Sequence, residues 1–196
     1  MKSTTTKLYN WATQKANSTH APLWIALLFS LELILFIPLD AILMFFCMQN
    51  PRKTFLYVLI AGFASTLSGI AGYLLGHFLW DLLAPYIIPH LISAALFDRI
   101  SGHFHLYEGW AVFFGSLLPF PLKALSLAAG VFHPGILLFS SLLLSARLLR
   151  FAFVGGAIAI GGAPLKNFVD KHFHRIILVV GAKIAAAFLF FWALAR

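Results

Sequence analysis

Between Thr54 and Trp80 the chain runs for 27 residues without a Lys, Arg, Asp or Glu. At 1.5 Å of rise per residue this is about 40 Å of helix, enough to cross a ~30 Å hydrocarbon layer with some tilt. The rest of the chain fits that environment. Hydrophobic residues make up 61% of it and charged residues 10%, against roughly 25% charged in a soluble domain. A soluble core must be covered by polar residues, and this chain has too few to cover one. The composition excludes a soluble enzyme, a disordered tail and a disulfide scaffold; Cys47 has no partner with which to form an internal bridge. An all-α integral membrane protein is expected. The bases, which give a net charge of +8, sit at span ends or inside apolar runs. They therefore point to anionic lipid rather than nucleic acid.

Residues 1–21 are a polar or amphipathic segment, with Leu8, Trp11, Ala12 and Lys15 at helical spacing and no apolar stretch of a cleavable signal. Residues 22–80 and 109–161 read as two repeats joined by a mixed linker, 81–108, that carries Asp81, Pro85, Pro89, Asp98, Arg99 and Glu108. Residues 162–196 read as a basic turn and a C-terminal transmembrane helix. Ser68, Gly72 and Gly76 recur every four residues, which permits close helix packing within one chain or in a homo-oligomer.

The repeat shows at an offset of 83: PLDAILMFFCMQNP (38–51) against PLKALSLAAGVFHP (121–134), with 4 of 14 positions identical. Each copy is an apolar segment broken by proline (Pro38 in the first, Pro119 and Pro121 in the second), followed by a long unbroken span. Proline removes a backbone donor and clashes with the preceding turn. In lipid the freed backbone groups need protein or water partners. Segments of about 12 residues on each side of a break, roughly 18 Å, suit helices that dip into the membrane and return. Interrupted segments at matching positions of two halves mark a transporter-type site near the midplane.

Two topologies are open. With re-entrant breaks and a cytoplasmic N-terminus, eight Lys and Arg lie inside and two outside; the repeats are then inverted. With five ordinary kinked spans the distribution is six to four. The positive-inside rule favours the first, and a bacterial inner membrane is the expected location.

Six ionisable residues interrupt the apolar runs: Glu32, Asp40, Lys123, Arg147, Arg150 and Lys183. Each costs at least about 2.5–3.5 kcal/mol near a helix centre in lipid, so such groups face a cavity or one another. Arg147 and Arg150 share a helix face. Asp40 and Lys123 are matched positions of opposite sign, a geometric candidate for a charge pair at the two tips. The excess of bases suggests an anionic guest such as a phosphate headgroup, for which the Arg fork is suited. Glu32 and Asp40 are candidates for proton coupling. Arg147, Arg150 and Lys183 are equally able to snorkel to an interface if the spans are shifted. No catalytic residue, cofactor or metal site is expected; the spacings His103-x-His105 and His172-x-His174 place neighbouring imidazoles on different helix faces.

The segment ELILFIPLD (32–40) resembles the acidic first repeat of the DedA family, also called the SNARE-associated or VTT-domain family. The run FFGSLLPFPLKALSLAAGVF (113–132) resembles its second repeat, usually F-x-R-F-x-P-x-x-R followed by A-G. The resemblance spans residues 25 to 160 and is strongest to the short YqaA-like subgroup. It implies two re-entrant helix pairs in inverted repeat and a role in moving lipid across the bilayer. Bacterial relatives are implicated in recycling undecaprenyl phosphate or flipping phospholipid, often with proton dependence, and eukaryotic relatives behave as scramblases. By motif position Glu32 and Asp40 match the family's functional acids, Lys123 stands where Arg is usual, and Arg147 or Arg150 lies near a second basic position. Ser116 stands where the family often has a base, and Pro119 with Pro121 makes a double-proline tip.

The expected function is therefore lipid transport, as a flippase or scramblase, with the headgroup held by Lys123, Arg147 and Arg150 and release gated by Glu32 or Asp40. The alternatives are an ion or proton transporter, or a membrane enzyme acting on lipid phosphates.

Overall fold

The computed structural model describes residues 13–35, 39–90, 93–118 and 121–161. Within them the regular structure is entirely helical. The predicted C-terminal span, its basic turn, Lys183 and most of the N-terminal segment lie outside the described residues.

Helix α1 (Ala21–Ser30) carries Pro22 in its first turn, where the missing N–H costs nothing. It unwinds at Leu31, earlier than the proline at 38 suggests. Helix α2 (Leu39–Gln49) follows, then a 3-10 turn over Pro51–Lys53 that leads into α3 (Thr54–His90). Helix α4 is Ala94–Leu117 and α5 is Leu122–Phe132. Helix α6 is Ile136–Gly161. Both ends of α5 lie 83 residues after the corresponding ends of α2, so the offset read from the sequence returns in the element boundaries.

The linker expected over 81–108 is largely helical. Helix α3 continues through Asp81, Pro85 and Pro89 to His90, and α4 occupies all but the first few residues of the remainder. The charge and prolines of the linker do not stop a helix already propagating through 27 residues without a Lys, Arg, Asp or Glu.

Segment α1–α2 is a hairpin. Asn50, just past α2, donates its Nδ2 to the Ala16 carbonyl, just before α1, at 2.7 Å. Two helices of ten and eleven residues laid end to end would separate those groups by about 30 Å. Segment α4–α5 also returns on itself: Phe97, near the start of α4, stacks on Phe132, the last residue of α5, with centroids 5.9 Å apart.

The long helices α3 and α6 run antiparallel. Gly155 abuts Thr54 and Val58, Gly62 meets Leu148, and Gly69 meets Leu143. Two apolar clusters lie along this pair. One joins Ile25, Phe29, Leu43 and Phe46 to Tyr57, Ala61, Phe151 and Ile158. The other joins Tyr73, Val112, Leu122, Ala129, Phe139 and Leu143. Helix α5 packs on α3 with backbones nearly touching. A Cβ at Gly76 would overlap the Leu127 carbonyl oxygen, and one at Gly130 would overlap the Tyr73 carbonyl oxygen. The small-residue face of α3 is thus occupied within the chain.

Candidate functional site: a charged layer at two helix breaks

Between the two clusters, α3 presents Ser65 and Ser68 and α6 presents Arg147 and Arg150. Ser65 and Arg147 each lie eleven residues into their helices, about 17 Å from the end.

The first break supplies Glu32, which sits in the unwound turn after α1 rather than within a helix. Its carboxylate takes one bond from each long helix: Arg147 Nη1 donates to Oε1 at 3.1 Å and Ser65 Oγ to Oε2 at 2.5 Å. The backbone freed by the break is answered too. Leu33 N–H donates to Ser68 Oγ at 2.9 Å, and the Ile34 carbonyl accepts from Lys123 Nζ at 3.3 Å. These bonds satisfy backbone groups that the break leaves without helical partners.

Asp40 lies in the first turn of α2, where the helix dipole favours an acid. It pairs with Arg150. Arg150 lies three residues beyond Arg147 on α6 and reaches the second break as well. There Arg150 Nη1 also donates to the Leu118 carbonyl at 2.8 Å, at the end of α4. Each break therefore has a carbonyl covered by a base from another element: Lys123 on Ile34 and Arg150 on Leu118.

All five ionisable residues expected at the site within the described segments, Glu32, Asp40, Lys123, Arg147 and Arg150, converge here. Pro121 stands extended just before α5; Pro38 and Pro119 lie outside the described residues. The side chains of Arg147 and Arg150 are turned into the helix packing. Burial grades across the layer: the side chains of Arg147, Arg150, Glu32 and Asp40 are 2%, 16%, 18% and 41% exposed. The layer is sealed at Arg147 and open at Asp40.

Arg147 is under-satisfied. Its Nε and Nη2 are buried without a hydrogen-bond partner among the described residues, and so is the Ser116 hydroxyl in the last turn of α4. A buried guanidinium ordinarily fills its five donor sites. Helix α5 adds to the imbalance. Its first turn holds no acid, and Lys123 adds a positive charge at its already positive N-terminal end. The five residues carry three bases against two acids.

The role of Ser65 and Ser68 was not legible as chemistry; Ser68 was read only as part of a packing stripe with Gly72 and Gly76, and Ser65 carried no signal. An open groove of about 720 Å³ between α3 and α6, lined by Thr66, Ile70, Leu137, Ser140, Ser141 and Leu144, holds no ionisable group.

No family model matches the chain, and no solved structure matches it. The chain is 27% identical over 156 residues to an uncharacterized protein of Haemophilus influenzae, covering 79% of this chain and 81% of that one.

Proposed function

We propose that the chain is a multi-pass membrane transporter that moves an anionic lipid across the bilayer, with the headgroup site at the charged layer. The observation that carries this reading is Arg147: a guanidinium 2% exposed, with two of its three nitrogens unpartnered among the described residues. A phosphate oxygen is the natural acceptor for such a fork. The half-helices α2 and α5 both begin at this layer. The positive end of α2 is answered by Asp40, and that of α5 is free to receive an anion.

The membrane reading is supported by an inside-out distribution of polarity. Phe55, Phe63, Leu67 and Phe78 of α3 and Leu137, Phe153 and Ile160 of α6 are exposed, while Ser65, Ser68 and Arg147 are buried. Only 28% of the most apolar stretch of α6 is buried, which suits a lipid-facing helix better than the core helix of a soluble protein. The hairpin ends joined by Asn50 and Ala16, and the antiparallel long helices, support re-entrant segments in inverted repeat and the DedA resemblance. The headgroup enters at the half-buried Asp40 and Lys123 side and meets Arg150, then Arg147. An anion on Arg147 competes with Glu32, which supplies a route to proton coupling.

The second reading, a proton or ion transporter, draws on the two acid–base pairs, Glu32–Arg147 and Asp40–Arg150, which suit a proton relay.

The experiment is lipid movement in sealed liposomes, with fluorescent phospholipid and polyprenyl phosphate followed separately, with and without a pH gradient. Asp40→Asn and Lys123→Gln are the informative variants, since both side chains lie at the open end of the layer. Loss of movement in both, with fold retained, supports the reading. Unchanged movement in both places the headgroup elsewhere. Proton flux with no lipid movement selects the second reading.

A further inference from the structure

We infer that His77, Asp81 and His133 form a binding site for a transition-metal ion of the Zn²⁺ type, which would clamp the far end of α3 to the end of α5. The inference is independent of the lipid reading and concerns a different place, twelve residues further along α3 than Ser65, or about 18 Å.

The site is built by the close helix crossing. With Gly76 and Gly130 stacked backbone on backbone, Gly130 lies directly against the His77 amide. His77 and Asp81 are one turn apart on the same face of α3. His133 caps the C-terminus of α5 three residues after Gly130, so the crossing delivers it to that face. One ligand atom from each of the three side chains falls within 4.8 Å of the others. His77 Nε2 and Asp81 Oδ2 are 3.9 Å apart. That is too long for a hydrogen bond. Two ligands of a tetrahedral ion with bonds of about 2.0–2.1 Å lie roughly 3.4 Å apart, so a small side-chain rotation suffices. The imidazoles of His77 and His133 meet edge to face with centroids 4.2 Å apart.

One further observation bears on the site. His133 adopts the left-handed conformation, φ 54° and ψ 44°, at a helix end where Gly or Asn is usual. A histidine there accepts a backbone cost that Gly would not. The surroundings hold both rings: Tyr73 stacks on His77 and donates its hydroxyl to the carbonyl of Pro134, next to His133, at 2.7 Å.

The donor set selects the ion. Two imidazoles and one carboxylate suit Zn²⁺ and its neighbours over Ca²⁺ and Mg²⁺, which prefer all-oxygen shells. Three protein ligands leave a fourth position for water, and the partial exposure of His77 and Asp81 gives the ion a way in.

The test is Zn²⁺ titration of the tag-free full-length chain in detergent after treatment with a chelator, followed by metal analysis and by thermal stability. Co²⁺ replaces Zn²⁺ for a spectroscopic reading of tetrahedral coordination. His133→Asn keeps a residue suited to the left-handed conformation, and Asp81→Asn alters an exposed side chain, so both variants should fold. The expected result is one ion per chain and a rise in stability with Zn²⁺. Each variant should weaken binding at least about tenfold and abolish the Co²⁺ spectrum. His172→Asn/His174→Asn should change neither. Less than one ion per chain, unchanged affinity in His133→Asn, or loss of binding in His172→Asn/His174→Asn would overturn the inference.

Discussion

Replacing Glu32 by Gln changes one charge and almost no volume, yet the cost should be large. In the native site Arg147 is 2% exposed and Glu32 is the acid paired with it. Removing one member of a buried ion pair strands the other, at about 3–5 kcal/mol. Here the upper part of that range applies, because Nε and Nη2 of Arg147 already lack partners among the described residues. Arg147→Met should cost less, since Glu32 keeps the Ser65 bond and is 18% exposed. In Glu32→Gln/Arg147→Met no charge is stranded, so most of the loss should return, leaving a coupling of about 2 kcal/mol or more between the sites. Denaturant titration in micelles, with helicity as the signal, reads all four corners of the cycle. A Glu32→Gln chain as stable as the parent, or a double variant no better than Glu32→Gln alone, would refute Glu32 as the counter-charge. The same reasoning makes Glu32→Gln a poor sole probe of transport, because it tests folding and function together.

Other outcomes follow from single contacts. Gly130→Ala should destabilise by about 1–3 kcal/mol or more in the same titration, because the new methyl meets the α3 backbone, which cannot step aside. Gly102→Ala, where nothing lies within 4 Å, should be neutral or stabilise by about 0.4–1 kcal/mol. Tyr73→Phe removes the bond to the Pro134 carbonyl and should cost about 1 kcal/mol while leaving helicity intact. With the buried Cys47 replaced by Ala, membrane-impermeant thiol reagents can map the hairpins. His20→Cys and Arg52→Cys should label from one side of the membrane and Gly135→Cys from the other. Labelling of His20→Cys and Arg52→Cys from opposite sides would establish kinked spans in place of re-entrant ones.

The parts of this structure readable in the sequence are those governed by local chemistry. Proline breaks helices and charges stand out in apolar runs, so the broken segments, their offset and the five ionisable residues were all visible. Pairing was not. Asp40 pairs with Arg150, a choice that depends on how far α6 slides along α3. The position of the first break, at Leu31 instead of at the proline, is fixed by groups more than thirty residues away, Ser65 and Ser68. That the linker is helical was not legible, because the local cost of Asp81 and the prolines of 81–90 is visible whereas the stabilisation of a long helix is spread over many residues. His77 and Asp81 carried a readable signal, their one-turn spacing. His133 joins them only through the Gly76–Gly130 crossing, which no local pattern announces.

Glu32 and Arg147 are 115 residues apart, and this separation bears on how the protein is made. On the transporter reading, a ribosome delivers the first hairpin long before α6 exists, so the acid enters the bilayer without its counter-charge. The two halves are then not autonomous units: each carries an ionisable group that only the other can neutralise. A chain severed between α4 and α5 should leave fragments that are degraded when made singly and that rescue one another when made together.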